Sequence, residues 1–299
     1  MGHTEVPSIA EPPGADPAAR IAEMLAAMGL DWSPGFAAGF ERYVFSDRRA
    51  EAFRGDGESL CNPIGNLPLI GGRLAAATFE PHLALTDGFY TLIDNVPAVG
   101  LSEEERQAQR VIGRWNPYRE MFGLLWHGRR HVMMGATQVD RFGNQNIAAI
   151  GDWHQPRSQL LGFRGAPGNT INHTTSYWVP NHSPKVFVEA VDVVCGIGYD
   201  RAAELGPTSS RFHEIRRVVS NLGVFDFVAA GSDGGDAVPT MRVASVHPGV
   251  SVDQVVEATG FELQVPEHVP TSRGPEGAEV EELERIDPGG LRFREVPDE

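Results

Sequence analysis

The 299-residue sequence predicts an α/β fold, an open and mostly parallel sheet with flanking helices. Three observations carry this. Residues 59–86 read as strand, loop, helix, strand, the order produced when a crossover helix joins parallel strands. Residues 116–136 repeat helix then strand. Residues 134–175 then pack a strand, a tight polar turn, a second strand and a glycine-rich loop into one short stretch, around which the rest is organised.

In chain order, residues 1–16 are rich in Pro, Glu and Ala and are expected to be disordered. Asp16-Pro17 reads as an N-cap with proline at the first helical position. Ile21, Leu25 and Met28 then form a short apolar stripe that Gly29 ends. Phe40–Phe53 is predicted as a second helix, so residues 1–55 read as an N-terminal arm and 56–299 as one α/β domain.

Within that domain Ser59–Asn62 is a strand and Pro63–Asn66 a turn. Leu67–Thr78 is a helix with Asn66 as its cap, and His82–Thr86 a short apolar strand closed by Asp87-Gly88. Asn116-Pro117 opens a helix ending at Gly128, and His131–Ala136 is a buried strand. Asp140-Arg-Phe-Gly143-Asn144 is a turn in which Asp140 bonds its own backbone and Gly143 takes positive φ, with Gln138 and Asn146 serving the same architecture. Strands are predicted at Val186–Val194, Arg217–Ser220, Gly223–Phe227 and Met241–Val246. Between them lie a loop at Asp200–Arg211 and a glycine-rich turn at Ala229–Asp236. Ser251-Val-Asp-Gln254 has the form of a capping box, residues 265–282 that of a Pro/Glu-rich linker, and the chain ends in a short acidic helix and tail.

A formal net charge of −15 argues against nucleic acid or an anionic membrane surface as a partner. A local basic pocket stays open, because Arg129, Arg130, Arg141, Arg157 and Arg164 flank the central stretch, although solvated surface arginines account for them equally well. Cys61 and Cys195 sit in apolar contexts and read as buried, reduced thiols. No run of roughly twenty apolar residues and no signal-peptide pattern occurs, so a cytoplasmic location is expected. The histidines lack metal-ligand spacing, and no metal is expected.

Strand ends in parallel sheets are where ligands bind, which makes Asn62–Asn66 and Thr86–Tyr90 candidate substrate-binding loops, with Asn62, Asn66, Thr86, Asp87 and Gly88 as their site residues. The loop Gly162–Asn169 has the composition of a cradle of main-chain N–H donors, to which Gly165, Ala166, Gly168 and Thr170 contribute. It has neither the dinucleotide nor the P-loop spacing. Asn169 and His173 are the catalytic candidates, for an oxyanion and for acid–base work; a helix-capping or structural role for His173 is equally open.

Gly135-Ala-Thr-Gln138-Val-Asp140-Arg-Phe-Gly143-Asn144-Gln-Asn146, Ile150-Gly-Asp152 and Gly162–Gly168 resemble β-type subunits of class I CoA-transferases of the glutaconate type. Leu67–Gly71, His247-Pro248, Thr259–Glu262 and Ile286–Gly289 match in order, so the resemblance spans roughly 58–296. It implies the NagB/RpiA-like version of the fold and no bound cofactor, coenzyme A being part of the substrate. It also implies an α-type partner from the same family, in a heterodimer or an α2β2 tetramer. One departure matters more than the matches. The transferases form their acyl intermediate on a β-subunit glutamate, and an ungapped count puts Gly88 at that position, a two-residue shift Thr86. Glutamate is absent from Pro81 to Ser102, and Asp87 is one methylene short.

A narrower branch lacks the same glutamate. It resembles the β subunits of actinobacterial steroid ring-opening CoA hydrolases, through Gly165-Ala-Pro-Gly168-Asn169-Thr-Ile-Asn172-His173, Asn181-His182, Glu189–Asp192 and Val218–Asp226. The branch implies hydrolysis of a carbon–carbon bond in a cyclic β-diketone-like CoA ester, with the general base on the partner. The arm before residue 56 and the acidic Ser102–Glu105 segment do not follow that pattern. A true transferase subunit, with Asp87 or a partner residue replacing the glutamate, and a non-catalytic subunit shaping its partner's site are the other two readings.

Overall fold

β5, residues 130–135, lies between β1 and β10 in the main sheet, and its alternation explains the two-sided core. The computed structural model describes residues 48–87, 91–229 and 237–293. In chain order the first half comprises β1 (Leu60–Pro63), α1 (Asn66–Thr78), β2 (Leu85–Thr86), β3 (Thr91–Ile93), α2 (Glu103–Gln109), β4 (Ile112–Trp115), α3 (Tyr118–Trp126) and β5 (Arg130–Gly135). The central stretch adds β6 (Gln138–Val139), β7 (Gln145–Asn146), β8 (Ala149–Ile150), β9 (Ser158–Gln159), α4 (Ala166–Asn172) and β10 (Thr174–Val179). The remainder is α5 (Tyr199–Ser209), β11 (Glu214–Ser220), β12 (Gly223–Val228), β13 (Thr240–Val246), α6 (Val252–Glu257), α7 (Gly277–Ile286) and a 3-10 turn at Leu291–Phe293.

The main sheet has the order β1-β5-β10-β11-β12-β13. The four strands from β1 to β11 pair in parallel, and β12 and β13 close the far edge antiparallel. Val132 and Met134 of β5 point into a core with Tyr177, Phe187, Val218 and Phe225. Met133 points the other way, into a core built from Phe53, Ile70, Leu74 and Leu283. Both faces being covered accounts for the near-continuous apolar run of this strand.

Several local expectations hold for the reasons given. Asp140 Oδ1 accepts from the backbone N–H groups of Phe142 and Asn144, both at 3.0 Å. Gly143 has φ of 85°, and a Cβ there would lie 2.6 Å from the Ile215 methyl, so no side chain fits. Asn146 donates to Gln138 at 2.7 Å across the turn. Ser251 and Gln254 form a reciprocal capping box. Ser102 and Glu105 form another, on an exposed helix.

Other expectations are corrected. The N-cap position of α1 is Gly65, whose conformation opens the helix; Asn66 is the first helical residue, and there is no side-chain cap. His82–Thr86 joins the main sheet only through Ala84, which bridges Leu60 in parallel. Leu85 and Thr86 then turn into a separate antiparallel sheet, β2-β3-β4, because Thr91–Ile93 comes back alongside them. Val186–Val194 is no strand. Phe187 alone bridges Val139, and side chains replace the ladder: Phe187 stacks on His182 at 3.6 Å, and Asp192 accepts from Gln138 at 3.1 Å. The Asp200–Arg211 loop is the helix α5, broken at Gly206 (φ 76°) just before Pro207, the pair that made it read as a loop. The 265–282 linker is shorter than expected, since α7 begins at Gly277 with Glu279 held by Arg273 at 2.7 Å and Leu283 and Ile286 buried. Of Phe40–Phe53 the described part, from residue 48, is helical to residue 51, with Arg49, Ala50 and Phe53 fully buried. The helix expected at 16–29 and the turn over 230–236 lie outside the described residues, as does the rest of the arm.

On the outside, β4 is exposed along its length and forms one edge of its sheet, with Ile112 and Trp115 turned to the surface.

Candidate functional site

The alternation of β5 places Arg130 on the side of Val132 and Met134, where α4 packs. There its guanidinium joins three of the residues singled out in the sequence. Nη1 donates to Asn169 Oδ1 at 3.0 Å and lies 3.2 Å from His173 Nε2, while Nη2 donates to Asn62 Oδ1. Asn62 comes from β1, Asn169 from α4, and His173 from the residue between α4 and β10. No carboxylate takes part, and burial alone pushes Arg130 down to about 10.

The acid–base role expected of His173 meets a different geometry. Its Nδ1 donates to the Thr174 carbonyl at 3.1 Å, which leaves the Nε2 lone pair facing Arg130. Burial, and then the charge of Arg130, push His173 down to about 4. His173 is thus fully buried with both ring nitrogens engaged, and burial favours its neutral form.

The cradle expected at Gly162–Asn169 is the entry to a helix. The N–H of Ala166 donates to the Phe163 carbonyl at 3.1 Å and that of Asn169 to Gly165 at 2.9 Å, and Pro167 has none. Gly165 is the N-cap of α4 and Gly168 lies inside it. Thr170 is fully buried, its hydroxyl bonded to the Ala166 carbonyl and to the N–H of Ile197. The side chain of Asn169 is therefore what this segment contributes to the polar cluster.

Thr86 and Asp87 lie elsewhere, on the wall of a cavity of about 210 Å3 at the carboxyl ends of β1 and β2. Asn62, Cys61, Arg73 and Arg110 share that wall, so Asn62 links the cavity to the Arg130 cluster. Gly88 lies outside the described residues, and Asn66 is not among the lining groups. Asp87 is fully engaged: Arg110 is 2.5 Å away, and the backbone and hydroxyl of Thr91 donate to it at 3.1 and 2.7 Å. The thiol of Cys61 is buried, and burial pushes it up, away from the reactive thiolate. A larger cavity, about 560 Å3, opens on Leu60, Leu85, Asp94, Arg114 and Arg129 and touches none of the candidate catalytic or substrate-binding residues among those described.

One further group has the geometry of a catalytic triad without its accessibility. Asp56 lies 2.6 Å from His131 Nδ1, and His131 Nε2 lies 2.9 Å from Ser176 Oγ. His131 and Ser176 have no exposed surface, and Arg216 also pairs with Asp56. The group ties the segment before β1 to β5 and β10 from inside the core.

Sequence reasoning set Arg130 among possible anion handles but missed Arg73, Arg106 and Arg110. Arg73 carried a signal, being the one charged residue of the helix NLPLIGGRLAAAT. Among the described residues there is no cluster fit for a metal ion, and no helix long and apolar enough to cross a membrane.

A mixed, mostly parallel sheet whose polar site gathers at β1, β5 and α4 defines the class: this chain belongs to the CoA-transferase family, among its B-type subunits. More particularly, it is 47% identical over 248 residues to the cholesterol ring-cleaving hydrolase IpdB subunit of Rhodococcus jostii (strain RHA1), covering 83% of this chain and 92% of that protein. The crystal structure of Rhodococcus jostii RHA1 IpdAB superposes with a TM-score of 0.76 at 44% identity, over 86% of this chain and 98% of that one. Glutaconate coenzyme A-transferase from Acidaminococcus fermentans shares the fold, with a TM-score of 0.69 at 22% identity over 83% and 95% of the two chains. No family model matches the chain.

Proposed function

We propose that this chain is the B subunit of a heteromeric hydrolase that cleaves a ring carbon–carbon bond in a cyclic β-diketone-like CoA ester of steroid breakdown. The observation that carries the choice of hydrolysis over transfer is Asp87. It is the only carboxylate between Pro81 and Ser102 other than Asp94, and it is held by Arg110 and Thr91. A nucleophile needs a free oxygen aimed at the thioester, and displacement by about 1 Å costs on the order of a hundredfold. Likeness to IpdB subunits supports the same reading.

Hydrolysis between carbonyls needs water deprotonated, the tetrahedral oxyanion held and the departing enolate protonated. The described residues offer no base free for the first task at the Arg130 cluster, since His173 is neutral and engaged. That task falls to a carboxylate of an α-type partner, in a heterodimer or an α2β2 tetramer. Arg130 suits the second. It is a fixed cation whose neighbours Asn62, Asn169 and His173 are all neutral, so its field is not cancelled locally. Asn169 and His173 keep its fork from rotating.

The test is to assemble the chain with an α-type subunit and add acyl-CoA, then hydroxylamine or borohydride. Free acid without modification of this chain is expected; a trapped carboxylate on it would establish transfer and sink the hydrolase reading. Mass measurement of the assembly separates heterodimer from tetramer. Catalysis by the chain alone would contradict the need for a partner.

A further inference from the structure

The cavity of about 210 Å3 at the strand ends carries a charge arrangement that the reaction above does not use. Three guanidinium groups line it, Arg73 on α1, Arg106 on α2 and Arg110 just after it, against one carboxylate, Asp87. Taking the charges pair by pair singles out one of them. Arg110 is neutralised by Asp87 at 2.5 Å, and Arg106 is paired with Glu103 on its own helix. Arg73 pairs with no carboxylate among the described residues. Its Nη1 donates to the Pro97 carbonyl at 2.9 Å, and the other guanidinium groups acting on it are Arg106 and Arg285. Burial and then the charge of Arg106 push it down to about 10, the expected response of a cation lacking its anion. The Nε of Arg106 is also buried without an acceptor among the described residues. Leu69, Leu85, Ile93 and Pro97 supply apolar wall between these groups.

A partly desolvated arginine facing a cavity instead of an acid is unusual in a chain of net charge −15. The guanidinium presents a planar fork of donors that matches two oxygens of a carboxylate or phosphate. The volume is below the roughly 300–1,000 Å3 of pockets that enclose a whole ligand, so it suits one end of a larger molecule. We propose that this cavity is an oxyanion-binding site, in which a carboxylate or phosphate group completes the fork of Arg73 and accepts from Arg106 Nε. The apolar wall covers the carbon chain or ester behind it. Two sources share that chemistry: a free carboxylate borne by the acyl half of a substrate, and a phosphate of coenzyme A. The site stands whichever reaction the assembled enzyme performs, because its test reads binding and not turnover.

The experiment is titration calorimetry on the full-length chain, alone and assembled, with glutarate, inorganic phosphate and coenzyme A as probes. Saturable binding is expected, weakened at least tenfold by Arg73→Gln and less by Arg73→Lys, which keeps the charge but loses the fork. Arg54→Gln, which alters an exposed ion pair with Glu51, should leave it unchanged. Glutarate favoured over phosphate identifies an acyl carboxylate; coenzyme A binding that phosphate displaces, with no response to glutarate, identifies a nucleotide phosphate. If Arg73→Gln fails to fold, Arg106→Gln on the exposed helix reads the same loss. Absence of saturable binding for all three probes, or binding indifferent to these substitutions, overturns the proposal.

Discussion

Arg130 and His131 are neighbours on one strand, point to opposite faces, and build opposite kinds of polar cluster. His131 sits in a closed circuit with Asp56, Ser176 and Arg216, where each charge meets a partner and no atom of His131 or Ser176 reaches solvent. Arg130 meets only neutral acceptors, Asn62, Asn169 and His173. The first has the outline of a catalytic triad and the energetics of a clamp. The second has no familiar outline, yet its uncancelled charge is what a developing oxyanion needs. Compensation of charge, more than the residue types present, separates the two clusters.

Breaking the clamp should produce the largest change. Asp56→Ala leaves Arg216 without one of its two carboxylates and His131 without its acceptor, and is expected to destabilise by about 3–5 kcal/mol. Urea unfolding of the purified chain measures it; a loss under about 1 kcal/mol would show that the circuit is not a clamp. Arg130→Met should invert the pattern. Removing this charge while keeping bulk should cost less, about 1–3 kcal/mol, for the acceptors of Asn62, Asn169 and His173 left without a donor. The assembled enzyme, in contrast, should lose on the order of 10²–10³-fold in kcat, the scale of a lost oxyanion partner. Equal damage to stability and turnover would erase the distinction between the two faces.

Acid gives an intermediate effect. Burial pushes His173 and His247 down to about 4 and His182 to about 3, from an ordinary 6.5. Each stays neutral in the folded chain while its unfolded form takes up a proton below pH 6.5. The stability they contribute is therefore complete above that pH and declines as pH falls towards 4. Asp140, pushed up to about 6 by burial, works in the opposite sense, whereas His213, Glu51, Glu214 and Glu279, all pushed down, act in the same sense as these histidines. The urea midpoint should fall steadily from pH 6.5 to 4; a flat profile would mean that these histidines are protonated in the folded chain. The smallest change belongs to Asp87→Asn, which keeps an acceptor for Thr91 and forfeits the pair with Arg110. Turnover should change by less than about threefold, whereas a nucleophile removed would cost several orders of magnitude.

What could be read from the sequence divides along the same lines. Features whose physics is local were legible: the Asp140 turn, the Ser251 capping box, the apolar run of β5. Val186–Val194 was misread because valine-rich composition signals a strand whether or not a neighbour is there to pair with it. α5 was hidden by Gly206-Pro207, which interrupt one helix instead of separating two elements. The candidate site was legible in part. Asn62, Asn169 and His173 were chosen for their types and for their loops, but the arginine that joins them lies between them in sequence and required the strand pairing of β1 with β5. The burial that pushes His173 down was not legible, because sequence carries no measure of desolvation. The absence of a glutamate after β2 needed no structure at all.

The edge at β4 has a consequence for how such a chain behaves as its concentration rises. Ile112 and Trp115 lie exposed on an edge strand, and an edge of that kind can pair with another strand. An exposed edge strand offers the same template to other copies of the chain. The tendency to pair edge to edge then rises with the concentration of the chain itself, and a charge in place of Ile112 or Trp115 would lower it.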